Sequence, residues 1–175
     1  MTDQTYKLIS WVNHNYIKEI QCGIQTMHAS KEMETRFINS ERYMDWSVND
    51  TVVVLQGGGE SVMAEINSFI IEFARSMHEF KGEMVPSGRF REPQLNHALT
   101  SVVVILSEEE RDAARRANFE KTQTYNDVKL QHNWLVAQRS VRWGEHGEYV
   151  NNIKDSEYER YINTFLGWVD SCRTA

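Results

Sequence analysis

Apolar positions fall into two rhythms along this chain, and the changes between them mark out the elements. Tyr6 to Val12 (YKLISWV) is a short apolar run with aromatic and β-branched residues, which predicts a strand. Asn13-His14-Asn15 follows with the composition of a turn and helix entry. A period near 3.6 then begins. Ile17, Ile20, Ile24 and Met27 share one stripe of a helix from about Tyr16 to about Phe37. That stripe is expected to face the core. Gln21, Gln25 and His28 form the stripe beside it, a neutral hydrogen-bonding row suited to lining a cleft.

Asn39 to Asp50 is mostly polar, with Tyr43, Met44 and Trp46 expected to pack against the domain. Thr51 to Leu55 (TVVVL) is apolar on both faces and predicts a strand in the middle of a sheet. Gln56 and Gly57-Gly58-Gly59 close it. Ser61 is placed to cap a helix from Val62 to about His78, with a core stripe of Ile66, Phe69, Ile70 and Phe73. Lys81 to Ser87 fits a short edge strand, since Pro86 suits an edge. Ser101 to Leu106 (SVVVIL) predicts a third buried strand. The result is an α/β fold, a small mixed sheet of about four strands with helices on both faces.

After Leu106 only helices are expected. Ser107 and Glu110 form a capping box that opens a charged helix to about Lys121. A second helix spans Asp127 to Trp143 with Leu130, Trp134, Ala137 and Val141 as its stripe, broken by Gly144 and Gly147. Ser156 and Glu159 suggest a further capping box. The last helix carries Tyr158, Tyr161, Ile162, Phe165, Leu166 and Val169 on one side. Trp134, Trp143 and Trp168 read as packing residues, and Arg111, Arg115 and Arg116 as solvent-facing partners of Glu108 to Glu110. The chain thus divides into an α/β domain at 1–106 and a helical extension at 107–175, packed on it through its apolar stripe.

Totals narrow the possibilities. An apolar fraction of 41% supports a core, and a net charge of −6 confines any RNA contact to a local patch. Cys22 and Cys172 form neither a disulfide framework nor a metal pair, which fits a reducing, cytoplasmic setting. The N-terminus lacks a basic start followed by an apolar run, so no secretory signal is read there. The longest purely apolar stretch, Val102 to Leu106, is far short of a membrane span. The histidines show neither HExxH nor His-x-His spacing, so no metal site and no cofactor is expected. Ser61, Ser87 and Ser101 have no identifiable base, which leaves a triad hydrolase unsupported.

Among candidate groups, the imidazole of His28 suits proton transfer or ligand contact. Gly57 to Gly59, between a strand and a helix N-terminus, has the setting of a phosphate cradle but not the P-loop ending; a plain turn is the simpler reading. Arg89 and Arg91 flank Phe90 and, with Lys81, form the basic cluster of the α/β part, a combination able to hold phosphate and stack a base, although a solvated loop is the simpler reading. His97 beside Asn96 could complete a polar rim.

The order of elements resembles the type-2 peptidyl-tRNA hydrolase family over residues 6 to 106. Gln25, His28 and Ala29 match the family's Gln-x-x-His-Ala sequence on the first helix. Gly88 and Arg89 match its Gly-Arg step, and Thr100 stands at the start of the last strand as the family's threonine does. Phe90 to Leu106 (FREPQLNHALTSVVVIL) is similar to the form found in phage and actinobacterial relatives. The chain is a divergent variant. Gln21 replaces the helix lysine, and Pro86-Ser87-Gly88-Arg89-Phe90 replaces Asp-Ala-Gly-Arg-Thr. Lys18 lies one turn before the lysine position, and Glu92 follows the Gly-Arg step closely enough to replace the lost acid.

The resemblance implies hydrolysis of the ester joining a peptide to the 3′ end of a tRNA. His28, Gln25, Gln21 and Thr100 would be catalytic, and Arg89, Gly88, Arg91 and Glu92 would bind substrate. The alternative is a non-catalytic, phage-type accessory protein that keeps the fold and binds a nucleotide or a host protein through the cleft or the tail. Expected partners are thus a tRNA 3′ end or nucleotide, a host protein, or a second copy in a homodimer, with no membrane.

Overall fold

A computed structural model describes residues 5–118, 121–139 and 153–172. Four strands form one mixed sheet: β1 (Tyr6–Val12), β2 (Val52–Gln56), β3 (Ser87–Glu92) and β4 (Ala98–Ser107), in the spatial order β2-β1-β4-β3. β2 runs parallel to β1, while β4 is antiparallel to both β1 and β3. The helices are α1 (Ile20–Phe37), α2 (Glu41–Asn49), α3 (Glu60–Lys81), α4 (Glu108–Ala117), α5 (Tyr125–Arg139) and α6 (Asp155–Ser171). This is an α/β fold with a C-terminal helical part.

Alternation along the strands separates two cores. Tyr6, Leu8, Val103 and Ile105 pack with Ala29 and Met33 of α1 and Trp46 of α2. Ile9, Trp11, Val102, Val104 and Leu106 pack on the opposite face with α3 and the tail. Ile66, Phe69, Ile70 and Phe73 are all buried, so the α3 stripe holds. Gly82 ends α3 in the left-handed conformation (φ 68°), its N–H donating to His78 O.

The tail's periodicity is equally well met. Tyr158, Tyr161, Ile162, Phe165, Leu166 and Val169 are buried against the sheet and α3. Trp168 stacks on Trp11, with centroids 5.5 Å apart and planes 5° apart. The Tyr161 hydroxyl donates to Phe69 O at 2.8 Å. An aromatic pair of this kind adds about 0.5–1.5 kcal/mol beyond its burial. The Ser107–Glu110 capping box is formed in both directions.

Several expectations are corrected. α1 is rotated: Ile20, Ile24 and Met27 are 80%, 47% and 73% exposed, and its buried residues are Gln25, Thr26, Ala29 and Met33. Hydrogen-bonding partners on β1, β3 and β4 make that semi-polar face the one that can be buried. The helix also begins at Ile20 rather than near Tyr16. Residues 39–50 contain the helix α2, capped by Ser40, whose hydroxyl accepts from Tyr43 N. Trp46 packs as expected, whereas Met44 is 50% exposed.

β2 lies at a sheet edge, not its middle, because among the described residues no strand pairs with it beyond β1. The other edge strand is Ser87–Glu92 rather than 81–87, so Gly88 and Arg89 lie inside it. Gly59, not Ser61, occupies the N-cap of α3. In α5 the buried residues are Val128 and Leu135, while Leu130 and Trp134 are exposed. Val141, Trp143, Gly144 and Gly147 lie outside the described residues. α6 starts at Asp155, where Lys154 N donates to Glu157 Oε2, so Ser156 and Glu159 are not its cap. Arg111 and Arg115 reach Asp170 of α6 and thereby tie α4 to it.

Candidate functional site

The parallel strands β1 and β2 send their helices to opposite faces, α1 to one and α3 to the other. A crevice at the carboxyl ends of such strands is where α/β sheets commonly hold ligands. Here that end is built from Asn13, Gly57 to Gly59, the first turns of α1 and α3, and the β3–β4 connection. Asn13 is fully buried and fixes the geometry. Its N–H donates to Thr100 O (2.9 Å), its Nδ2 donates to Leu99 O (3.2 Å), and its Oδ1 accepts from Asn15 N (3.2 Å).

The pairing of β3 with β4 shifts register between Phe90 and Arg91, so Phe90 opposes Ser101 while Arg91 opposes Leu99. Thr100 has no partner in that ladder. The bulge turns its side chain towards α1, where Thr100 Oγ1 donates to Gln25 Oε1 at 2.6 Å. Gln25 Nε2 in turn donates to Glu92 Oε2 at 3.1 Å. Three residues from three elements thus form one chain: a buried hydroxyl, a 7% exposed amide and a half-buried carboxylate. Beneath it, Ser10 Oγ lies 2.7 Å from Thr26 Oγ1 and 3.2 Å from Ser101 Oγ. These hydroxyls satisfy one another where an unmatched polar group would cost about 1–3 kcal/mol.

His28 is exposed on the next turn of α1, its ring stacked on Phe90 with centroids 4.5 Å apart and planes 20° apart. Gln21, one turn before Gln25, is exposed. Gly88 lets β3 approach α1 closely: a Cβ there would come within 2.5 Å of Ala29 O. The structure therefore gathers Gln25, Thr100, Glu92, His28 and Gly88 on the α1 side of β3.

The arginines are not part of that group. Arg91 turns to the α3 side, where its guanidinium donates to Glu60 Oε1 (3.0 Å) and His97 O (3.1 Å). Glu60 also accepts from Leu99 N at 2.8 Å, which pins the start of β4 to α3. Arg89, between Gly88 and Phe90, projects to the same side and is exposed. Lys81 ends α3, before the chain enters β3 at the far end from Glu92. His97 has a left-handed backbone (φ 59°), as does Asn96 (φ 52°); together they turn the chain into β4. Such a conformation costs about 1–3 kcal/mol per non-glycine residue.

A cavity of about 650 Å³ lies at the opposite end of β1, lined by Tyr6, Arg36, Arg42, Glu83 and Met84. Arg42 is buried there, and its terminal nitrogens are committed to Glu110, Glu83 and Ile105 O. Its role is to bind α2 to β4 and α4. Among the described residues, no cluster of three or more His, Cys, Asp or Glu side chains could hold a metal ion, and no helix is long and apolar enough to cross a membrane.

Sequence reasoning missed Ser10, Thr26, Ser101, Asn13 and Glu60. The available signal was polar residues set into otherwise apolar strands, and an acid directly after three glycines. The chain matches no family model and no curated protein.

Proposed function

We propose that this chain is a divergent protein of the type-2 peptidyl-tRNA hydrolase kind, whose surface between α1 and β3 takes the acylated 3′ end of a tRNA and hydrolyses its ester. The observation that carries this reading is the Thr100–Gln25–Glu92 chain, which joins residues picked out by the resemblance although they are 67 and 75 positions apart. Glu92, half-buried, is the carboxylate able to take a proton from water at this surface. Attack by that water on the ester carbonyl forms the new C–O bond. The bond to the ribose 3′ oxygen breaks, and the proton passes to that oxygen. Gln25 orients the carboxylate, and the flat His28–Phe90 pair offers a ring face to a terminal base. An acidic chain suits a contact limited to one nucleotide end rather than a long RNA duplex.

A second reading has its own support. Gln21 stands where the resembled family carries a lysine, and both polar atoms of the Gln25 amide are already engaged. On this reading the same surface binds a nucleotide or a host protein without turnover.

The test is incubation of purified protein with peptidyl-tRNA, alongside His28→Ala and Glu92→Gln. Release of free peptide by the native chain, lost in both variants, is the expected outcome. Saturable binding of a short RNA ending in CCA, with no ester cleavage at stoichiometric protein, selects the second reading. Absence of both activities refutes the proposal.

A further inference from the structure

The two edges of the sheet are finished differently. At β3 the outward backbone groups are covered by α1: Arg36 donates to Ser87 O at 2.9 Å, and Glu32 Oε2 accepts from Arg89 N at 3.0 Å. A register shift and two arginines further blunt that edge. At β2 nothing comparable exists among the described residues. The strand reads VVVLQ, with neither proline nor charge, the composition of a strand that has neighbours on both sides.

The direction of its free groups follows from the ladder. Leu8 N donates to Thr51 O (3.0 Å) and Gly57 N donates to Val12 O (2.9 Å). Odd-numbered residues of this segment therefore bond to β1. Val52, Val54 and Gln56 point their N–H and C=O groups outward.

We infer that β2 pairs with β2 of a second copy of this chain, antiparallel and centred on Val54, to make a continuous eight-stranded sheet. The register is self-matching. Val54 meets Val54 and Val52 meets Gln56, so outward-facing residues meet outward-facing residues. Each such pair exchanges two N–H···O bonds. Charge is compatible too: the same register sets Asp50 against Gly58 and Glu60 against Val48, so no carboxylate faces another.

The two-fold axis is perpendicular to the sheet, which keeps the α1/α2 layers of both copies on one side. α2 leads directly into β2 on that side and exposes Met44 (50%) and Val48 (82%), and Val52 is itself 43% exposed. These side chains add exposed apolar surface along the same side of the strand seam.

The inference stands apart from the hydrolase reading and is tested separately. Sedimentation equilibrium of the full chain at about 1–100 µM should show twice the 20.5 kDa monomer mass at the upper end. Amide hydrogen exchange at Val52, Val54 and Gln56 should slow as concentration rises, a readout that needs no variant. Val54→Pro leaves every β1–β2 hydrogen bond in place and removes an outward N–H, so it should keep the circular dichroism spectrum and abolish the dimer. Three results would each overturn the inference: a monomer across the whole range, a dimer whose β2 amides exchange freely, or a folded Val54→Pro chain that still dimerises.

Discussion

Replacing Thr100 by valine keeps the shape of the side chain and removes the proton that holds Gln25. Thr100 is fully buried and Gln25 is 7% exposed, so water cannot readily take the place of the lost donor. The Thr100 hydroxyl has one hydrogen and two nearby acceptors, Gln25 Oε1 at 2.6 Å and Phe90 O at 3.3 Å; the shorter contact receives it. Thr100→Val therefore strands Gln25 Oε1, at a cost of about 1–3 kcal/mol. Gln25→Met is milder. It removes acceptor and donor together, lets the Thr100 hydroxyl swing to Phe90 O, and leaves Glu92 to solvent, for about 0.5–1.5 kcal/mol. In the double variant nothing is stranded, so its loss should be less than the sum of the two by about 1 kcal/mol. Urea unfolding followed by tryptophan fluorescence measures all four proteins. Additivity within about 0.3 kcal/mol would refute the coupling and the site geometry built on it.

Other outcomes follow from the tail and its acids. Trp168→Ala should destabilise the whole protein by about 3–5 kcal/mol in one cooperative transition, because the ring is stacked on Trp11 in the main core; a separate early transition for the tail alone would contradict this. Glu65, Glu79 and Glu108 all titrate below the ordinary 4.5. The Tyr125 hydroxyl and Lys129 stabilise the Glu65 carboxylate. Burial opposes ionisation of Glu79, but hydrogen bonds from Tyr158, Arg75 and Arg139 outweigh it. Lys7 holds Glu108. Folded values below unfolded ones mean that this stability is complete above about pH 4.5 and is lost as pH falls through the lowered values. Tm scans at decreasing pH should fall in that window, and a flat Tm down to about pH 3 would exclude the linkage.

Much of the fold is legible in the chain because some elements have only one way to be satisfied. β4 carries the apolar run Val102 to Leu106 and lies inside the sheet; α3 and α6 each bury the stripe their spacing marks; Ser107 and Glu110 can satisfy each other's backbone locally. The misreadings share a cause, which is that partners distant in sequence decide them. Periodicity around Ile20, Ile24 and Met27 is real, but Ser10, Thr100 and Glu92 reward burial of Gln25 and Thr26 instead. Val52 to Leu55 has the makeup of a central strand and stands at an edge. Arg111 and Arg115 pair with acids at helical spacing, Glu108 and Asp112, and also reach Asp170 on α6, which no local spacing marks. Within the site, Gln25, Glu92 and Thr100 were marked by resemblance. Their mutual bonding depends on a register shift that no local pattern announces.

The tail's place in the main core has a consequence for synthesis. Trp11, Phe69 and Phe73 leave the ribosome many residues ahead of Phe165 and Trp168, the rings that will shield them. Through that interval the growing polypeptide carries a greasy, unroofed flank, the kind of surface that chaperones engage and that favours aggregation. Translation speed between Phe73 and Phe165 thus becomes a determinant of yield.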